Sequence, residues 1–373
     1  MAVVYQFKKV MRIAVIGLRG IPDVQGGIET HCQKLYPLIA AKGHEIYLFR
    51  RRRYVRPTSA LDSWQGVNLI DLPAPHNKYA ENIFHTFLGI LRARRLHPDI
   101  LHIHGIGPAI LTPLAKRLGM KVVVTHHGRD YNRSKWGRIA KWFLRSGEKK
   151  GLDRADAMIC VAEEFYRSLP EGEQKNKVSW LPNGYDIFGE EAGDEVLHRF
   201  GLKKGGYILS VGRLVKEKGF DDLIAAYRKS SLPKDHKLVI VGDSDMDSPY
   251  SRELKKEADE NVVFTGRLPH TDLASLYDNA ALFVLPSYHE GMPIVLLEAM
   301  YHRLPMIVSD IKENRFPEIP ADYFFQTGNV DELSHKMSTH PDLGKKTEYD
   351  LGNYLWPTIA ERTEEIYKKL MEK

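Results

Sequence analysis

Cysteine is nearly missing from this chain: of 373 residues only Cys32 and Cys160 carry a thiol. They lie far apart, without CxxC or Cys/His spacing, so they read as reduced thiols and indicate neither a disulfide framework nor a zinc site. Long apolar runs are missing too, and no stretch approaches the ~18 residues needed to cross a bilayer. The opening residues, MAVVYQFKKVMRIAVIG, lack a signal peptide's order of basic, apolar and small-residue regions. These absences place the chain in the cytoplasm. Nor does any helix-turn-helix, zinc-finger or aromatic RNP pattern accompany its basic residues, which argues against a nucleic-acid partner.

What remains is the composition of a globular protein, 43% hydrophobic and 27% charged, in a chain long enough for two domains. The charge is unevenly divided. Residues 1–185 hold 30 Lys and Arg against 15 Asp and Glu, whereas the remainder hold 24 against 33. The front half is therefore expected to meet something anionic. Its extremes are Arg50 to Arg53 and the cluster Arg92, Arg94 and Arg95. The second cluster follows NIFHTFLGIL, where Ile83, Phe84, Phe87, Leu88 and Leu91 repeat at helical spacing. Two readings stay open: a helix lying on an anionic membrane surface, or a core-facing stripe with a solvated basic end.

One arrangement occurs twice: a β-branched run, a glycine-containing turn, then an amphipathic helix. The first half opens with RIAVIG (Arg12–Gly17) and a helix from about Glu29 to Ala41, followed by strand candidates EIYLF, DILHI, KVVVT and AMICV. The second restarts with YILSVG (Tyr207–Gly212) and a helix from about Phe220 to Tyr227, then KLVIVG, VVFTG, ALFVLP and PMIVS. Strands apolar throughout and alternating with helices form parallel sheets covered on both faces. The expected class is α/β, with two doubly wound, Rossmann-like domains facing across a cleft. They span residues 1–185 and 186–355, hinged near LPNGYD (Leu181–Asp186), and a last helix within 356–373 returns to the first.

The chemistry concentrates in SYHEGMPIVLLEAM, residues 287–300. Glu290 ends a strand in a loop shaped by Gly291 and Pro293, and Pro293 suits a first helical position. Glu298 falls about one turn into that helix. Amides at Gly291 and Met292, with the helix dipole, form a cradle for phosphate oxygens. Two carboxylates beside a phosphate repel it, so each should face hydroxyls, as a nucleotide sugar supplies. In SVGRLVKEKGFDDLIAAY, Arg213 and Lys218 flank a strand-to-helix turn as two cations suited to a diphosphate.

The pattern E-x7-E followed by Ala-Met resembles the donor motif of the family-four retaining glycosyltransferases, which have the GT-B fold. The resemblance runs from MRIAVIG to beyond MIVSD. It implies that Glu298 binds the ribose and Glu290 contacts the transferred sugar, and that Arg213 and Lys218 hold the diphosphate. Gly212, closing YILSVG, and Arg267 and Leu268, following VVFTG, are placed on the donor side with them. Gly26 and Gly27 in GLRGIPDVQGGIET permit close backbone approach to a ligand, and their spacing is not a nicotinamide fingerprint. The resemblance turns this GG-x-E loop, with Glu29, toward donor phosphates and acceptor. In THHGRDYNRSKWG it matches His127 to a histidine touching the donor sugar, while His126 is left unassigned. Asp130, Arg133, Lys135 and Trp136 stand where an acceptor would enter. The GRDYNRSKWG string is similar to a bacterial surface-polysaccharide branch that makes O-antigen, lipopolysaccharide or capsule.

Asp243-Ser244-Asp245 spells D-x-D, a metal motif in another transferase fold. It is declined here, because Arg213 and Lys218 supply the charge a metal would. Neither a metal nor a cofactor is expected. Tyr301, His302 and Arg303 depart from the family's commoner Ala-x-Gly, which bears on helix-end packing or the base pocket. The implied function is retaining transfer of a hexose, N-acetylhexosamine or deoxyhexose from a nucleotide-diphosphate sugar, UDP-linked by preference. The implied acceptor is a polyprenyl-diphosphate-linked saccharide, with the basic domain peripheral on the inner face of the plasma membrane. A nucleotide-sugar 2-epimerase of the same plan and a non-enzymatic sugar-binding protein are the alternatives.

Overall fold

A computed structural model of the chain describes residues 10–55, 61–77, 80–132, 137–185, 193–233, 235–244 and 248–372. It divides into two compact units, Met1–Asn183 with Trp356–Lys373, and Gly184–Leu355. The apolar runs become strands because their side chains are buried on both faces. In the first unit these are β1 (Arg12–Ile16), β2 (Glu45–Arg51), β3 (Ser63–Trp64), β4 (Val67–Leu72), β5 (Ile100–His104), β6 (Val122–His126), β7 (Ala157–Cys160) and β8 (Val178–Trp180). Their order is β3-β4-β2-β1-β5-β6-β7-β8, parallel except for the β3–β4 hairpin. The second unit orders β9 (Tyr207–Val211), β10 (Lys237–Val241), β11 (Val262–Gly266), β12 (Leu282–Leu285), β13 (Met306–Ser309) and β14 (Phe324–Phe325) as β11-β10-β9-β12-β13-β14. Its pairings are all parallel.

Both orders run outward in opposite directions from a central strand, the doubly wound plan. The reversal falls between β1 and β5 in the first unit and between β9 and β12 in the second. Loops leaving the carboxyl ends of those strands are parted by the reversal and open a crevice there. Periodicity alone missed β3, β4, β8 and the two-residue β14. β4 is only half-buried over much of its length, and β8 has three residues, so neither makes a continuous apolar run.

Helix α1 (Gly27–Ala41) begins two residues before the sequence suggests. The C-terminal helix Trp356–Glu372 belongs to the first unit, where Glu364 meets His44 at 3.1 Å and Lys42 at 3.3 Å. Tyr367 from the same helix reaches His102 Nδ1 at 2.6 Å. Helix α2 (Ala80–Arg94) does not bear out the core-facing reading of NIFHTFLGIL. It turns Glu81, His85, Thr86, Gly89, Ile90 and Ala93 inward. Gly89 lies against Ile16, at a close approach within that inward face. Phe84, Phe87 and Leu91 point outward and are at least 40% exposed. The stripe is therefore not a core face.

Helices α3 (Thr112–Arg117) and α4 (Arg138–Arg154) follow. A Cβ on Gly147 of α4 would stand 2.0 Å from the Ile106 carbonyl oxygen. The helix thus rests directly on backbone, while Ile139 and Trp142 on its outer side are 85% and 67% exposed. Gly147→Ala should lower stability by about 1–3 kcal/mol, the usual range for overpacking. Urea unfolding checks this, and an unchanged midpoint would mean that the helix does not sit so close.

Candidate functional site

The switch point of the second unit collects most of the residues singled out in the sequence. β9 leads through Gly212 and Arg213 to Lys218 and then α5 (Phe220–Lys229). β12 leads through Ser287 and Glu290 to α7 (Ile294–Tyr301), with α6 (His270–Asn279) between β11 and β12. The two loops are bound together: the Tyr288 amide donates to the Glu217 carbonyl at 2.9 Å. Gly219, at φ +65°, comes so close that a Cβ would stand 2.4 Å from the Pro286 carbonyl oxygen. Only glycine meets both demands.

That contact brings Lys218 Nζ to 2.6 Å from Glu290 Oε1. Ser287 Oγ donates to the same oxygen at 2.6 Å, and Ser309 Oγ anchors the Ser287 carbonyl at 2.6 Å. Glu290 is 8% exposed, so its charge depends on these donors. Pro293 is the N-cap of α7 and not its first residue, and Gly291 and Met292 are partly buried in the loop before it. Glu298 accepts a 2.9 Å hydrogen bond from the Tyr277 hydroxyl of α6. Burial, reinforced by the Glu298 charge, raises the Tyr277 phenol well above its ordinary value, so it remains a donor. Tyr277 in turn stacks on His302, whose Nδ1 meets Asp278 at 2.7 Å.

The departure at Tyr301–Arg303 is thereby explained as helix-end packing. His302 buttresses the tyrosine that holds Glu298. Arg303 takes the left-handed φ of 61° that glycine would otherwise supply, and pairs with Glu348. Arg213 is partly buried directly after β9; Arg267 is exposed and donates to the Ser244 carbonyl at 3.4 Å, and Leu268 packs on the core. Asp243 accepts from Lys255 at 2.8 Å and from the Ser244 amide, so it is already held by a protein cation; Asp245 lies outside the described residues.

The first unit gathers a different set at the ends of β1, β5 and β6. A Cβ on Gly26, at φ +153°, would stand 2.0 Å from Glu29 Oε2, whereas one on Gly27 meets nothing within 4 Å. Glu29 is buried and accepts from the Arg19 amide at 2.9 Å and Arg19 Nε at 3.3 Å. It pins the glycine loop to the start of α1. Asp130 starts a single turn, Asp130–Asn132, and is partly buried; Arg133, Lys135 and Trp136 lie outside the described residues. His126 stacks on Phe165 at 3.9 Å and bonds Glu148 at 2.8 Å, a structural role.

His127 meets a group that the sequence reading missed. Its Nε2 lies 2.9 Å from His104 Nδ1, and its ring is 4.8 Å from that of His31. His104 Nε2 reaches the Tyr36 hydroxyl at 2.5 Å, and Tyr36 is 2.9 Å from His102 Nδ1. Burial pushes His31 down to about 4 and His102 to about 3, and His104 and His127 well below the usual imidazole value. All four are neutral at pH 7. One signal was legible: in DILHIH the two histidines alternate, which puts them on one face of β5.

The Lys218–Glu290 contact makes a checkable energetic statement. Lys218→Met removes a cation from a buried carboxylate and should lower stability by roughly 1–3 kcal/mol. Lys218→Met with Glu290→Gln should recover part of that loss, giving a coupling of about 0.5–3 kcal/mol. Strict additivity of the two single variants in urea unfolding would contradict the pairing.

Comparison with known proteins bears on the family and the fold. Residues 25–187 match the Glycosyltransferase Family 4 model and residues 197–348 the model of glycosyl transferases group 1. The chain is 29% identical over 236 residues to TuaC of Bacillus subtilis, named for a glycosyltransferase of teichuronic acid biosynthesis, covering 60% of this chain and 55% of that protein. It is 30% identical over 220 residues to the UDP-Gal:alpha-D-GlcNAc-diphosphoundecaprenol alpha-1,3-galactosyltransferase of Escherichia coli, covering 54% of each. The chain thus spans about half the length of these two relatives. Among solved structures it resembles Anabaena HepE in complex with UDP and glucose, at a TM-score of 0.75 and 14% identity over 96% of this chain and 100% of that one.

Proposed function

This chain joins a Glycosyltransferase Family 4 region to a glycosyl transferases group 1 region in one GT-B fold, and from that premise we propose that it is a retaining, metal-independent glycosyltransferase using a nucleotide-diphosphate sugar. The observation that carries the reading is the Lys218–Glu290 contact at the β9/β12 switch point. A cation for a departing phosphate and a carboxylate for sugar hydroxyls meet where a doubly wound sheet takes its ligand. Glu298, held by Tyr277, takes the ribose; Glu290 takes the transferred sugar; Arg213 and Lys218 hold the diphosphate, with Gly212, Gly291, Met292, Pro293, Arg267 and Leu268 around it. His127, Gly26 and Gly27 are assigned to the donor as well.

In the reaction the acceptor hydroxyl oxygen bonds to the anomeric carbon as the carbon–oxygen bond to the diphosphate breaks. The hydroxyl proton passes to the leaving diphosphate. Negative charge grows on the bridging oxygen, and fixed cations stabilise that state more than the ground state. No enzyme nucleophile is required. UDP is favoured as carrier by the name of the Escherichia coli relative, and a lipid-diphosphate-linked saccharide as acceptor by the same name. Product NMR tests the reading: the donor's anomeric configuration is retained, and an inverted linkage defeats it. Donor incubated alone gives no epimer, and epimer formation would favour the 2-epimerase instead.

A lipid-linked acceptor calls for a membrane-facing surface. The exposed Phe84, Phe87 and Leu91 of α2 adjoin exposed Arg92, Arg94 and Arg95, which suits an anionic bilayer. On α4, Ile139 and Trp142 share a helical face with Lys149 and Lys150, which line a groove of about 640 Å³ with Lys116, Arg117 and Arg154. No described helix is long and apolar enough to cross a membrane. Replacing Arg92, Arg94 and Arg95 with glutamate should reduce sedimentation with anionic vesicles while leaving donor affinity intact. Undiminished sedimentation would exclude this surface.

A further inference from the structure

We propose that His31, His104 and His127 form a binding site for a transition-metal ion of the zinc class. One nitrogen from each ring lies within 4.8 Å of the other two. The ring centroids stand 4.8, 5.2 and 5.5 Å apart. Three imidazoles on one tetrahedral ion, with zinc–nitrogen bonds of ~2.05 Å, place their centroids about 5.2 Å apart. His104 Nδ1 and His127 Nε2, at 2.9 Å, need to open by only a few tenths of an ångström to reach the ~3.3 Å of such a sphere.

The surroundings prepare two of the three rings for this. His31 Nδ1 lies 2.9 Å from Asn183 Oδ1, an acceptor that fixes the proton there and leaves Nε2 its lone pair. His104 Nε2 meets the Tyr36 hydroxyl at 2.5 Å, which likewise reserves Nδ1. Outer hydrogen bonds of this kind orient the histidines of metal sites. Trp356, edge-on to His31 at 5.4 Å, closes one side. Three imidazoles without a carboxylate select zinc, cobalt or copper over magnesium and calcium, and leave a fourth position for water or a ligand oxygen.

The three histidines belong to the first unit, whereas Arg213 and Lys218 belong to the second. The site engages His127, and one consequence rests on the functional reading above: a bound ion withdraws that ring from the donor sugar and depresses transfer.

The test uses untagged full-length protein stripped with a chelator. Cobalt(II) titration should develop the intense visible absorption of a tetrahedral site, saturating at a single equivalent. Zinc should displace it, and magnesium should not. His127→Ala, on the partly exposed ring, and His31→Ala should each abolish the absorption while circular dichroism stays that of the parent. Absence of tetrahedral absorption in the parent protein, or its persistence in both variants, overturns the proposal. Failure here with transfer intact leaves the transferase reading standing. Zinc binding that spares transfer removes His127 from the donor site and leaves the metal site standing.

Discussion

Parallel strand pairing is the constraint on which the rest depends. A parallel ladder aligns the carboxyl ends of all its strands at one edge of the sheet, and crossover helices cover both faces. Many of the residues discussed here, from Gly26 after β1 to Glu290 after β12, lie in loops that follow the carboxyl end of a strand. Where the winding reverses, neighbouring loops diverge, and the residues that line them need to be held by something other than the sheet. In the second unit the holding contacts are the Tyr288–Glu217 backbone bond and the close approach of Gly219 to Pro286. In the first unit Glu29 does this by bonding Arg19 across the glycine loop.

The charges divide by what burial permits. Arg50 pairs with Asp71 at 2.6 Å, and Arg51 and Arg53 share Glu81, so most of the arginine run after β2 serves the interior. A buried guanidinium without such partners would be costly. Arg92, Arg94 and Arg95 are exposed beside an exposed apolar stripe. The histidines follow the same rule by another route: with no carboxylate among them, burial removes their charge and leaves a neutral network of nitrogens and hydroxyls.

The two glutamates of E-x7-E acquire different environments for related reasons. Glu290 is buried and depends on a cation and a hydroxyl. Glu298, one turn into α7, is partly exposed and supported through Tyr277 and His302. The departure from the family pattern at His302 therefore belongs to the support of Glu298, while Arg303 closes the helix end.

The sequence alone determined the α/β class, the strands that are apolar throughout, and the loops carrying Glu290, Glu298, Arg213 and Lys218. These are local facts, since an apolar run needs two covered faces and a glycine loop at a strand end marks a crevice. It could not determine which side of α2 faces inward. Large apolar residues at helical spacing look like a core face, yet the face that is buried carries His85, Gly89, Ile90 and Ala93. Nor could it assemble His31, His104 and His127, or set Lys218 on Glu290. Those contacts join residues distant in the chain, and only the pairing order of the strands brings their ends together.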